Sequence, residues 1–235
     1  MEKQVTETIR ATDKPVGSRS LLGATVAYAV FGVAGLVAIG TFPAATETGE
    51  QLVAWFRENG QGVRWFVWAW TLTIPPLAIM IAFFRRLLPA VYRDVFLVGA
   101  ISYLVAVEIG TWSWAGLALH ADQLNPAIAR TVLDVVIFLG PVLTGSTTTM
   151  MAPVTLLALR GRAQLPVWLG VLGAVAFFEQ AVETITIFGA KGFLQPGGAM
   201  NMQLGAMLTL TWLLAFGVWG GIRPDAMSPA WPRAT

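Results

Sequence analysis

The 235-residue chain is 56% apolar and only 12% charged, with a mean hydropathy of +0.67. A soluble domain carries roughly a quarter of its residues as charges, so the chain reads as an integral membrane protein with about six spans of roughly 20 residues and no room for a separate soluble domain. The formal charge of +2 comes from basic residues that never form a run of five or more, which argues against a nucleic-acid partner, and the absence of cysteine excludes a disulfide framework, a thiolate metal site and a thiol nucleophile.

In chain order, residues 1–20, with Lys3, Arg10, Lys14 and Arg19, are expected to form a cytoplasmic tail. The first span is expected over 21–42, which is longer than the roughly 7–15 residues of a signal-peptide core. Gly23 with Ala27, and Ala34 with Ala38, set small residues at the spacing that lets helices approach closely. Residues 46–60 are too polar to span. Thr48 as N-cap, with Gln51 three residues on, and Gly60 as C-cap would bound a short amphipathic helix on the outer surface, a plain loop being the alternative.

The second span, 64–84, holds Pro75 and Pro76 at its middle, where each ring removes a backbone donor and a kink or break is expected. Thr71 and Thr73 are placed to satisfy the freed groups; the alternative is a broken helix lining a polar cavity. The third span, 95–119, contains Glu108 and is followed by an outer loop with His120 and Asp122. Asn125 and Pro126 are a helix start, as N-cap and first helical residue. The fourth span, 127–159, contains Asp134 and is expected to be interrupted at Pro141 and near Pro153, with a hydroxyl-rich patch between them from Thr144 to Thr149. The fifth, 165–189, carries Glu179 and Glu183, an i, i+4 pair on one helix face. The sixth, 202–222, carries Gly217 and Gly221, and 223–235 forms a second tail.

Lys3, Arg10, Lys14, Arg19, Arg85, Arg86, Arg93, Arg160, Arg162, Arg223 and Arg233 fall on one side of this arrangement, and only Arg57, Arg64, Arg130 and Lys191 on the other. The positive-inside rule then puts both termini in the cytoplasm. The expected fold is an all-α, polytopic bundle of six transmembrane helices with a short amphipathic outer helix. The polar piece 51–60, the Asn-Pro-Ala-Ile-Ala-Arg start at 125–130 and the Leu-Pro-Val-Trp-Leu-Gly opening at 165–170 together resemble a broad class of bacterial six-helix integral membrane proteins of unknown function. The resemblance implies the topology and a multi-pass place in the bacterial inner, cytoplasmic membrane. It implies no activity, since Glu108, Glu179 and Glu183 stand outside the pattern.

An acid at a bilayer centre costs roughly 2.5–3.5 kcal/mol on insertion scales, and no lysine or arginine is expected inside a span to neutralise Glu108, Asp134, Glu179 and Glu183. At about 1.5 Å per residue, Glu108 and Glu179 share one depth and Glu183 and Asp134 a second, outer one. The four are therefore expected to converge on a polar cavity in the outer half, with Trp112, Thr144 and Thr148 as further lining and helix breaks at Pro75, Pro76 and Pro141. Three functional readings follow: a proton- or cation-linked pathway; a structural or accessory subunit of a larger membrane complex or homo-oligomer, packed through glycine faces of the first and sixth helices; and an intramembrane metal-dependent enzyme. Protonated acids bridging helices are the purely structural account. The third functional reading lacks an HExxH motif and a second histidine. The tryptophans, among them Trp65 and Trp68, read as interfacial belts. The bilayer is the partner the sequence names; substrate, cofactor and oligomeric state are left open.

Overall fold

The computed structural model describes residues 18–162, 164–189 and 191–223; the expected tails, apart from residues 18–20 and Arg223, lie outside them. The described chain is all helix and irregular connections: α1 (Ser18–Ile39), α2 (Gly49–Thr71), α3 (Ile74–Phe84), α4 (Ala90–Leu119), α5 (Pro126–Leu159), α6 (Val167–Glu183), a π-helix (Met200–Gly205) and α7 (Ala206–Ile222). Six segments among the described residues are long and apolar enough to cross a membrane: Arg19–Ile39, Gly49–Leu87, Ala90–Leu119, Pro126–Leu159, Val167–Phe188 and Met200–Ile222.

Local chemistry accounts for several boundaries. Thr48 Oγ1 accepts from Gln51 N at 3.3 Å while Gln51 Oε1 accepts from Thr48 N at 2.7 Å, a reciprocal capping box that starts α2. Asn125 Oδ1 accepts from Ala127 N at 2.9 Å and starts α5. At the far end of α5 the Gly161 N–H donates to Ala158 O and the Arg162 N–H to Leu157 O, closing a Schellman turn that needs the φ of +62° only glycine adopts without strain.

Two boundaries differ from the sequence expectation. Gly60 ends nothing: α2 runs through it, so the amphipathic piece and the first part of the second span are one helix. Leu52, Phe56, Val63 and Phe66 recur at helical spacing on its buried side, and that shared packing outweighs the roughly 1 kcal/mol cost of an interior glycine. Likewise α5 is not interrupted at Pro141 or Pro153, both of which lie buried within it. Packing of the neighbouring helices on both flanks holds α5 continuous through the two prolines. The break at Pro75 and Pro76 does occur. These residues open α3 in its first turn, and the hydroxyls of Thr71 and Thr73 donate to Val67 O and Trp70 O.

The spans form a ring in which each packs on the next, from α1 through α2 with α3, α4, α5 and α6 to α7, and α7 closes back on α1. Two apolar clusters fill it. One gathers around Phe84, Phe96, Trp212 and Phe216, with the Phe84 and Phe216 rings stacked at 3.8 Å. The other surrounds Trp114 with Phe42, Trp55, Phe56 and Phe66, toward the end that carries the 40–48 and 120–125 connections. Valines 26, 30, 33 and 37 are exposed at i, i+4, i+7 and i+11 on α1, the outward apolar stripe of a lipid-facing helix.

Candidate functional site

On α6 the inward face is set by Ala176, Gln180 and Glu183, continued by Thr186 in the 3₁₀ turn Thr184–Phe188, and all four are buried. This spacing of three and four residues is that of one helix face. Glu183 is 3% exposed, and each of its oxygens receives an amide donor. Gln180 Nε2 donates to Oε2 at 2.7 Å and Asn201 Nδ2 donates to Oε1 at 2.5 Å. Gln180 Nε2 also donates to Glu179 Oε2 at 3.0 Å, so one carboxamide links the two acids. Its own Oε1 accepts from the hydroxyl of Thr147 on α5. Asn201, supplied by the π-helix, donates further to Thr186 Oγ1 at 3.2 Å.

The two amides differ in how firmly their orientation is held. Asn201 Oδ1 accepts from the Gly197 backbone N–H at 2.9 Å, a group that can only donate, so Asn201 must point its NH₂ at Glu183. Gln180 Oε1 faces a hydroxyl, which can donate or accept, so either orientation of this amide is satisfied there. Gly205 makes the assembly possible: a Cβ at that position would overlap the Glu183 carboxylate and reach within 2.6 Å of Gln180 Nε2. The π-helix that carries both Asn201 and Gly205 is a rare element that recurs at functional sites. Among the described residues, Oε1 of Glu179 is buried with no hydrogen-bond partner.

The energies are of the right size to hold an acid here. Hydrogen bonds to charged groups contribute about 1.5–3 kcal/mol each, and two of them meet the ~2.5–3.5 kcal/mol insertion cost of a central acid without any basic side chain.

The structure brings together only two of the four expected acids, Glu179 and Glu183. Asp134 is paired within its own helix: Arg130 Nε donates to Oδ2 at 3.1 Å and Nη2 to Oδ1, while Arg130 Nη1 reaches Glu47 O at 2.8 Å. The expectation of acids without an in-span base therefore fails for Asp134, because i, i+4 geometry puts Arg130 over it. Glu108 lies half-buried on α4, with α5 between it and α6, and among the described residues no hydrogen bond or ion pair joins it to the network. Trp112 is 64% exposed and faces away from any interior cavity. In the hydroxyl patch, Thr144 and Thr148 spend their hydroxyls on carbonyls of α5, and Thr147 between them is the residue that reaches Gln180.

Three members were missed in the sequence. Gln180 was visible as an amide inside an apolar run, three residues before Glu183 on the same face. Asn201 stood one position outside the expected sixth span. Thr147 was hidden by its neighbours. Among the described residues no three histidine, cysteine, aspartate or glutamate side chains group closely enough to hold a metal ion. Comparisons with protein families, with curated proteins and with solved structures find no match to this chain.

Proposed function

We propose that the chain is a proton-linked, transporter-like membrane protein in which Glu183 is the proton-carrying group and Gln180 couples it to Glu179. The observation that carries this reading is the pair of amides on the buried Glu183 carboxyl, one locked by Gly197 and one free to turn over. With Nε2 of Gln180 toward the acids, both oxygens of Glu183 accept and the group is a carboxylate. When a proton binds Oε2, the new O–H needs an acceptor. Rotation of the Gln180 amide supplies its Oε1, while Nε2 turns to donate to Thr147 Oγ1. The Thr147 hydroxyl then donates to Thr144 O, already 3.0 Å away. Both oxygens of Glu183 keep a hydrogen-bond partner in both states, which is what a buried proton carrier requires. The turned amide oxygen also faces Glu179, so the two carboxyls change state together.

The Asn201 amide favours a proton over a metal cation, because its N–H, held on Glu183 Oε1 by the bond from Gly197, repels a positive ion there. The charge asymmetry of the connections supports cytoplasmic termini; the bacterial inner membrane is the matching location. The accessory-subunit reading loses its expected contact on the sixth span, since Gly217 and Gly221 are packed against Thr25 and Leu22 of α1 within the chain. In liposomes loaded with a pH-sensitive dye, the unaltered protein should carry protons down an imposed gradient. Glu183→Gln should abolish that flux and Glu179→Gln should reduce it, with both variants retaining their helical circular dichroism. Equal flux from folded Glu183→Gln and unaltered protein would refute the proposal.

A further inference from the structure

Away from the acid network, α2 and the turn after α4 enclose a cavity of about 310 Å³ at the end of the ring that carries the 120–125 connection. Its polar wall is Arg57, Gln61 and Arg64 from α2 with His120 and Gln123 from the turn, and the exposed Leu119 forms an apolar edge. Among the described residues, Asp122 is the single acid that lines it. Arg57 reaches Asp122 Oδ1 at 3.6 Å and its carbonyl at 3.1 Å, with both side chains at least half exposed, and an exposed pair of that kind is weak. Arg64 is exposed and, among the described residues, has no ion pair.

Arg57, Gln61, Arg64 and Trp68 follow one another at four, three and four residues, a single face of α2. The two guanidiniums start about 10 Å apart along the helix, within converging reach of one small anion. Trp68, one turn below Arg64, is 55% exposed. On α4, which packs beside α2, Leu119 at the cavity edge continues through Gly116, with open space around it, to Trp112, 64% exposed. A basic, hydrogen-bonding cavity thus sits above two outward helix faces that end in exposed tryptophans. Tryptophans in such positions mark the boundary between headgroups and acyl chains.

We infer that this is a binding site for one anionic phospholipid: the headgroup phosphate lies between Arg57 and Arg64, with Gln61 and His120 as further partners, and the acyl chains lie along Trp68, Gly116 and Trp112. Charge complementarity selects the phosphate, since guanidinium groups bind phosphate oxygens in paired hydrogen bonds. The apolar faces leading away from the cavity select a lipid over a free anion. The site is independent of the proton-carrying network and explains a feature that network leaves unused, the exposed Trp112.

The test uses the full chain in phosphatidylcholine vesicles containing spin-labelled phosphatidylglycerol, read as the motionally restricted fraction of the label, with spin-labelled diacylglycerol as the phosphate-free comparison. The unaltered protein should prefer phosphatidylglycerol. Arg57→Gln with Arg64→Gln should lower that preference by about fivefold for each arginine lost. Arg64→Gln alone keeps the Arg57 contacts and gives the same readout if the double variant fails to fold. An unchanged preference in the folded variants, or equal restriction of diacylglycerol by the unaltered protein, would overturn the inference. Displacement of the restricted lipid by millimolar inorganic phosphate would overturn it too, by assigning the cavity to a soluble anion.

Discussion

Gly205→Ala tests the geometry of the acid network through the sign of a stability change. Within a helix, replacing glycine by alanine ordinarily stabilises by about 1 kcal/mol. At position 205 the added methyl would overlap the Glu183 carboxylate and lie 2.6 Å from Gln180 Nε2 and 2.9 Å from Glu183 Cδ. Those atoms belong to buried side chains held by hydrogen bonds on both sides, so they cannot swing away as a free chain end would. Overpacking of this kind costs roughly 1–3 kcal/mol, and displacing Glu183 forfeits part of two charge-assisted bonds of about 1.5–3 kcal/mol each. The expected net effect is a loss of about 2–4 kcal/mol. Gly145→Ala, on α5 with nothing within 4 Å of the added methyl, is the control and should show the ordinary gain. For a chain of this length 1 kcal/mol moves Tm by about 2–4 °C. Thermal unfolding in detergent should therefore lower Tm for Gly205→Ala by several degrees and raise it slightly for Gly145→Ala. A Gly205→Ala protein as stable as Gly145→Ala, with proton flux intact, would show that Glu183 is not packed against the π-helix.

Thr147→Val removes the hydroxyl that serves both orientations of Gln180 and should suppress proton flux in liposomes, whereas Thr148→Val, whose hydroxyl donates to Thr144 O and Gly145 O of its own helix, should leave it unchanged; equal effects would refute the assignment. Arg130→Gln should destabilise by about 0.5–1 kcal/mol, because it strips the half-exposed Asp134 of its partner and frees Glu47 O, but it should not alter flux; a flux defect in folded protein would place this pair in the pathway. Cysteine introduced at Gln123 should react with an impermeant thiol reagent from outside intact cells, and reaction only after permeabilisation would reverse the proposed orientation.

What the sequence by itself determined is what local physics governs. A run of some twenty apolar residues must be helical in lipid, because no water is there to satisfy its backbone, so the six spans were legible without tertiary information. The Thr48 capping box and the Asn125 cap were legible as well, since their bonds join residues two or three apart. The Arg130 pairing with Asp134 is equally local, an i, i+4 contact one turn inside the start of α5 that the positive-inside charge pattern alone does not reveal. Tertiary structure decided the rest. Gly60 and Pro141 carry breaker signals, yet the helices pass through them because packing along Phe56 and Val63, and against the neighbours of α5, outweighs a local penalty of one residue. The candidate site belongs to the same class. Glu179 and Glu183 were visible as acids in an apolar run, but their partners lie 18 residues away at Asn201 and 33 away from Gln180 at Thr147. Which polar side chain meets which acid depends on the rotation of α5, α6 and the π-helix about their axes. That rotation is chosen by side-chain packing across the ring, a non-local quantity that no single helix encodes.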